Sequence, residues 1–210
     1  MPHPATATVR DEYAKAAATY DLRWARYVDR SVDATLSHVT LRDGDGVLDV
    51  GCGTGVLLER VLRRAPRTHV IGLDVTPAML HVARDRVRAG TCLVAADGAA
   101  IPFADATFDT IVSTSALHFS PRVPDVLREC HRVLRPGGQL VITDWCGDAL
   151  TCKAFDVWTR WRTPHATRVL TRAALRDHLR AAGFAVTGVH DARADWFWVL
   201  MTVTAVRADA

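Results

Sequence analysis

The run Leu48-Asp49-Val50-Gly51-Cys52-Gly53-Thr54-Gly55 constrains this chain more than any other stretch of it. An apolar, β-type segment ends in three alternating glycines, and a helix-forming segment follows from about Thr54 to Arg64. Glycine adopts positive φ at no steric cost and lets backbone approach a ligand closely. The helix behind the turn offers unpaired amides at its N-terminus. By itself this is the tight turn of any doubly wound α/β protein. Asp74 changes that: it stands 19 residues beyond Gly55, at the end of the next strand-like run, His69 to Leu73, where an acid can bind the ribose hydroxyls of a nucleotide-like cofactor. Asp97-Gly98 closes the third run, Cys92 to Ala95, at the same edge. Acids at three successive strand ends point to an adenosine-type cofactor.

The rest of the chain supports an α/β sheet. Val47 to Val50, His69 to Leu73, Cys92 to Ala95, Phe108 to Val112 and Gln139 to Thr143 alternate with helical segments, one opening at Pro77 and another spanning Pro124 to Leu134. Such alternation builds a parallel sheet with helices on both faces. Gly183 ends a helix over Thr171 to Ala182, and two more strands follow, Phe184 to Val189 and Trp196 to Val203. The Asp191 to Asp195 linker is too short for a helical crossover, so these last strands form an antiparallel hairpin. The expectation is an α/β, Rossmann-like, seven-stranded and mostly parallel sheet in one domain over 1–210. Residues 1–40 form an N-terminal helical lid, 46–144 the cofactor-binding core, and 145–210 a variable segment with the closing strands. Within the lid, Tyr13, Tyr20, Trp24 and Tyr27 recur at spacings that share a helical face, and Asp21 is placed to cap a second helix carrying Trp24, Val28, Val32 and Leu36.

Composition narrows the class. The 210 residues are 49% hydrophobic and 23% charged, an ordinary globular balance that excludes disordered and fibrous chains. A net charge of +3 makes no case for nucleic acid. The five cysteines are scattered, without a CxxC pair or zinc-type spacing, so free thiols and no metal are expected. No apolar leader opens the sequence and no run reaches the ~20 apolar residues of a membrane span, so a cytoplasmic protein without a membrane span is expected.

Dinucleotide enzymes favour G-x-G-x-x-G, whereas Gly51, Gly53 and Gly55 are spaced one residue tighter, behind Asp49. Val47-Leu48-Asp49-Val50-Gly51-Cys52-Gly53-Thr54-Gly55 resembles motif I of the class I S-adenosylmethionine-dependent methyltransferases, of the methyltransferase type 11-like kind. Gly72-Leu73-Asp74-Val75-Thr76-Pro77-Ala78-Met79-Leu80 is similar to the next motif. Asp97-Gly98-Ala99-Ala100-Ile101-Pro102-Phe103, Phe108-Asp109-Thr110-Ile111-Val112 and Leu134-Arg135-Pro136-Gly137-Gly138 continue the series in order. The resemblance spans roughly Gly46 to Asp144. It implies S-adenosyl-L-methionine as cofactor and S-adenosyl-L-homocysteine as product. On it, Gly51, Gly53 and Gly55 face the methionine moiety and Asp49 approaches its amino group. Asp74 takes both ribose hydroxyls, Val75 and Met79 line the adenine pocket, Asp97 accepts from the adenine amino group with Gly98 and Ala99 beside it, and Ser113 lies near the sulfonium. Tyrosines of the N-terminal segment, Tyr13 and above all Tyr20, close over the cofactor.

Methyl transfer from a sulfonium needs alignment and water exclusion more than acid–base chemistry. His118, after the fourth strand, is the candidate base, with Tyr20 the second catalytic candidate; a merely positional role for His118 stands beside the catalytic one. Asp144 can orient a substrate or cap the next segment. Trp145 can stack on a substrate or sit in the core. Arg168, Arg172, Arg176 and Arg180 form a basic stripe, read as solvated surface. Trp196, Phe197 and Trp198 pack the sheet edge or offer a homodimer surface. The acceptor pocket is expected from the N-terminal helices and the aromatic Trp145 to Thr171 insert, which favours a small, planar or apolar organic acceptor. A non-catalytic S-adenosylmethionine-binding regulatory protein and an NAD-type oxidoreductase are the alternatives.

Overall fold

The computed structural model describes residues 4–162 and 169–208. Arg168 lies outside them. The strands are β1 (Gly46–Val50), β2 (His69–Asp74), β3 (Cys92–Ala95), β4 (Phe108–Thr114), β5 (Leu134–Trp145), β6 (Phe184–Arg193) and β7 (Val199–Arg207). They form one sheet in the order β3-β2-β1-β4-β5-β7-β6. Pairing is parallel from β3 through β5, then antiparallel for β5 with β7 and for β7 with β6. The expected closing hairpin is therefore present, joined through 194–198.

Sequence alternation explains why helices cover both faces. Along β1, Val47 packs with Leu57, Leu58 and Val61 of α3 (Val56–Arg64) and with Val32 and Leu36 of α2 (Tyr20–Leu36). The neighbouring Leu48 and Val50 pack instead with Val126, Leu127 and Cys130 of α5 (Val123–Val133) and with Leu175 and Leu179 of α7 (Arg172–Ala181). Successive strand side chains point to opposite faces, so two buried clusters sandwich the sheet. Between the chain's outward runs, β1 and β4 lie side by side while their connections lead to opposite halves of the sheet. That topological switch opens a crevice at the strands' carboxyl ends.

Several boundaries differ from expectation for local reasons. α3 begins at Val56, because Gly55 sits in the left-handed region (φ 79°) as its N-cap. α4 (Pro77–Arg86) does open at Pro77. Ser113 lies inside β4 rather than after it, and β5 begins at Leu134, far earlier than Gln139. The lid comprises α1 (Pro4–Ala16), a 3-10 turn over Ala17–Thr19, and α2. Asp21 does not cap α2; Thr19 holds the N-cap position without a side-chain bond, and the Asp21 carboxylate is engaged elsewhere. α7 is capped by Thr171, whose hydroxyl accepts from the Ala174 amide at 3.1 Å.

The aromatic C-terminal segment is mostly core. Trp145 and Trp198 are buried and stack on each other with ring centroids 4.4 Å apart, beside Phe155 of α6 (Leu150–Arg162). Of the Trp196-Phe197-Trp198 run only Trp196 stands clear, at 80% exposure. In the arginine stripe, Arg172 pairs with Asp148 and Asp191, and Arg180 with Asp177.

Candidate active site

The glycine loop is built by its bonds to β2. The Gly51 and Cys52 amides both donate to the Leu73 carbonyl, at 2.7 and 3.0 Å, and the Gly53 amide donates to Asp74 Oδ2 at 2.8 Å. Gly51 (φ 81°) and Gly53 (φ 53°) hold conformations that side chains resist. A Cβ on Gly51 would stand 2.3 Å from that of Ala116, whereas one on Gly53 would meet nothing within 4 Å, because Gly53 opens onto a cavity.

That cavity, about 1190 Å³ counting its open mouth, lies at the switch point under the lid. Asp49, Gly51, Gly53, Asp74, Val75, Met79, Asp97, Gly98, Ser113 and Tyr20 all line it, as does Tyr13. Three expected residues do not. Gly55 is turned towards α4, where a Cβ would lie 3.1 Å from that of Ala83, so its glycine serves packing and the helix start. Ala99 is used through its amide, which donates to Asp97 Oδ1 at 2.9 Å. His118 is 2% exposed and sits behind the wall. Its Nδ1 pairs with the Asp144 carboxylate, its amide donates to Asp144 Oδ2 at 3.0 Å, and its ring stacks on Trp145 at 3.8 Å. Asp144 thus fixes His118; it does not cap the following segment. No described residue of the 145–171 insert lines the cavity, so the insert supports the wall from behind through Trp145.

Other residues, to which no local motif points as a site, line the cavity too. α2 contributes Tyr27, Val28 and Ser31 beside Tyr20, and the β4 end contributes Thr114, Ser115 and Phe119. Tyr20, Tyr27 and Ser31 are spaced seven and four apart, so the aromatic face seen in the sequence continued into a polar stripe. Tyr13, also a lining residue, sets its ring 5.8 Å from Tyr20 and 5.1 Å from Phe119.

Among the described lining residues the charged side chains are the acids Asp49, Asp74 and Asp97. Asp49 is 2% exposed and its Oδ1 has no hydrogen-bond partner. Burial, reinforced by the nearby Asp74, pushes its carboxyl up to about 8. Asp74 is also raised by burial, opposed by the amides of Thr76 and Gly53. Each of its oxygens accepts one of these amides, at 2.8 Å in both cases, and retains a lone pair for a further donor. Asp97 is held by Arg122 at 2.8 Å. Among the described lining residues there is no Lys, Arg or His, and no described group of three or more His, Cys, Asp or Glu could hold a metal ion.

A Rossmann-like sheet with a glycine loop, two strand-end acids and a lidded crevice at the switch point defines the class of nucleotide-cofactor α/β domains. Comparison with known proteins narrows it. Residues 48–142 match the model of a methyltransferase domain. The chain is 39% identical over 117 residues to a ubiquinone/menaquinone biosynthesis C-methyltransferase of Paracoccus denitrificans, covering 53% of this chain and 47% of that one. It is 37% identical over 150 residues to a malonyl-[acyl-carrier protein] O-methyltransferase of Enterobacter lignolyticus, covering 70% and 57%. A chain from the complex of the Haloferax volcanii Trm112 methyltransferase activator with a methyltransferase superposes with a TM-score of 0.83 at 22% identity, over 96% and 98% of the two chains. The chain spans about half of the curated relatives' own length. Residues 48–142 thus form a methyltransferase domain of the S-adenosylmethionine-dependent kind.

Proposed function

We propose that this protein transfers a methyl group from S-adenosylmethionine to a small, planar organic acceptor. The observation that carries the reading is the buried carboxyl of Asp49, a lining residue beside the glycine loop whose Oδ1 has no hydrogen-bond partner. A buried polar atom without a partner is costly, and the ammonium of an amino-acid moiety is the donor that suits it. On this reading the parts of the cofactor would follow the strand ends in order. Asp49, Gly51 and Gly53 would hold the amino-acid end, Asp74 the ribose hydroxyls, Val75 and Met79 the ring faces, and Asp97 with Gly98 the adenine edge. Tyr20, with Tyr13 beside it, would close the lid and exclude water.

When bound, the cofactor supplies a methyl group on a positively charged sulfur, which leaves as neutral S-adenosylhomocysteine when the acceptor's electron pair forms the new bond. The chain's contribution is positional. β4 and α2 supply the wall on which the acceptor rests, and Asp144 locks His118 and Trp145 behind it. His118 serves this reading as a positioning group, because it does not line the cavity. Aromatic rings from Tyr13, Tyr20, Tyr27 and Phe119 favour a flat acceptor. The five free thiols fit a reducing cytoplasm.

Calorimetric titration with S-adenosylhomocysteine tests the cofactor reading. Wild type should bind it and Asp74→Ala should lose at least about 100-fold in affinity, since two charge-assisted bonds at roughly 1.5–3 kcal/mol each are removed. Unchanged affinity in Asp74→Ala, with native circular dichroism, would overturn the reading.

A further inference from the structure

The hydroxyls around the acceptor wall differ in what they do with their protons. Ser113 Oγ donates to the Val50 carbonyl at 2.8 Å, and Ser31 Oγ to the Val28 carbonyl at 3.0 Å. Thr35 Oγ1 donates to the Ser31 carbonyl at 3.0 Å, so its 2.7 Å contact with Thr114 Oγ1 must use the Thr114 proton. These hydroxyls are spent on the protein.

The cluster of Trp145, Tyr27 and Ser115 is different. Trp145 Nε1 lies 2.6 Å from the Tyr27 hydroxyl, and that hydroxyl lies 2.6 Å from Ser115 Oγ. An indole N–H only donates, so the Tyr27 oxygen accepts from Trp145. The cluster then holds three protons and two hydrogen bonds, which leaves one O–H over. If Tyr27 donates to Ser115, the Ser115 proton is left; if Ser115 donates to Tyr27, the phenol proton is left. Both side chains line the cavity. Burial pushes the Tyr27 phenol well up, so its proton stays in place. Ser115 holds φ 55°, the left-handed region that non-glycine residues rarely occupy, directly after β4. Backbone strain of this kind persists where surrounding structure enforces it, here the Ser115 amide bond to the Thr143 carbonyl at 2.8 Å.

We infer that the Tyr27–Ser115 pair is an oxyanion donor for the methyl acceptor, which binds through a phenolate or enolate oxygen. No described Lys, Arg or His lines the cavity to neutralise such an oxygen. A preorganised neutral donor therefore does this work, polarised from behind by the Trp145 N–H. Ser115 and Tyr27 touch the acceptor, and Trp145 is the positioning residue. The inference rests on the methyltransferase reading for its placement beside the cofactor.

The test uses 4-nitrophenol as probe and nitrobenzene as its uncharged counterpart, titrated into the wild-type complex with S-adenosylhomocysteine. The complex should bind the phenolate more tightly than nitrobenzene and raise the phenolate fraction at fixed pH, read by the visible absorbance of 4-nitrophenolate. In the double variant Tyr27→Phe/Ser115→Ala, phenolate affinity should fall about tenfold or more, with nitrobenzene and S-adenosylhomocysteine affinities within twofold of wild type. Ser115→Ala alone leaves the Tyr27 proton free to turn to the cavity and should lose less. Equal phenolate binding by wild type and the double variant overturns the inference, as does wild type showing no preference for phenolate. Parallel loss of S-adenosylhomocysteine binding in the double variant also overturns it, by assigning the pair to the cofactor. Failure of wild type to bind S-adenosylhomocysteine sinks the methyltransferase reading itself, a separate result. The absorbance shift in wild type needs no variant, so a poorly folding double mutant does not obstruct the test.

Discussion

At the scale of single residues, Asp49 has the most consequential chemistry. Its carboxyl is pushed up to about 8 by burial and by Asp74, so the folded state holds its proton more tightly than the unfolded chain does. Between the ordinary carboxylate range and about pH 8 the native state binds more protons, and the stability of the ligand-free protein therefore falls as pH rises through that window. An ammonium ligand pairs with the ionised form, so below about pH 8 its binding must expel the proton. Calorimetry of S-adenosylhomocysteine binding near pH 7 should show an enthalpy that depends on the buffer's ionisation enthalpy, with proton release. Affinity should rise between pH 6 and 8, and Asp49→Asn should abolish the buffer dependence. An enthalpy independent of buffer in wild type would remove Asp49 from the amino-acid end of the site. Asp49, Asp74 and Asp97 were legible in the sequence because strand-end position is a local property. The roles of Gly55, Ala99 and His118 were not, since which way each faces is decided by Ala83, by the Asp97 turn and by Asp144. Tyr27 and Ser115 are 88 residues apart, and no local pattern announces such a pair.

The lid shows how an element is held by charges that its own sequence does not explain. Asp21 reads as a helix cap, yet its carboxylate accepts from Thr54 Oγ1 at 2.7 Å and pairs with Arg86 of α4. Arg86 Nε in turn donates to the Thr54 carbonyl at 2.9 Å. α2 is thereby latched to the glycine loop itself, and Arg60 on α3 adds pairs to Asp29 and Asp33 further along the same helix. Partly exposed ion pairs are worth little singly, roughly 0–1 kcal/mol, so the latch is a restraint on the lid and contributes modestly to the fold. Asp21→Ala should speed hydrogen exchange across α1 and α2 and shorten the residence time of S-adenosylhomocysteine by about fivefold, with circular dichroism unchanged. Exchange in the lid that matches wild type would show that packing of Val32 and Leu36 alone holds it. Strands and helices of the core were readable from alternation and from Pro77 and Gly183; the latch was not, because it joins α2, the loop and α4 only in three dimensions.

At the scale of the molecule, seven strand-like runs and one short linker were enough to anticipate a mostly parallel sheet closed by an antiparallel hairpin. What alternation cannot supply is the partition of helices between faces, which the two clusters around Val47 and Leu48 fix. A fold of this kind hosts many chemistries, so its switch-point crevice must be interrogated by ligand. A ligand that binds only the native state stabilises it by about 2.7 kcal/mol at 100 times its Kd. For a chain of this size each kcal/mol moves Tm by about 2–4 °C. S-adenosylhomocysteine at that excess should therefore raise Tm by about 5–10 °C, whereas NAD should leave it in place, because the tight Gly51-x-Gly53-x-Gly55 turn and the buried Asp49 carboxylate suit an amino-acid ammonium and offer a pyrophosphate no cation. A shift with NAD and none with S-adenosylhomocysteine would transfer the crevice to hydride chemistry. A shift with S-adenosylhomocysteine but no turnover of S-adenosylmethionine against a broad library of acceptors would leave the cofactor site standing and favour a sensor of its ligand, in which case the Tyr27–Ser115 donor would have no acceptor to serve.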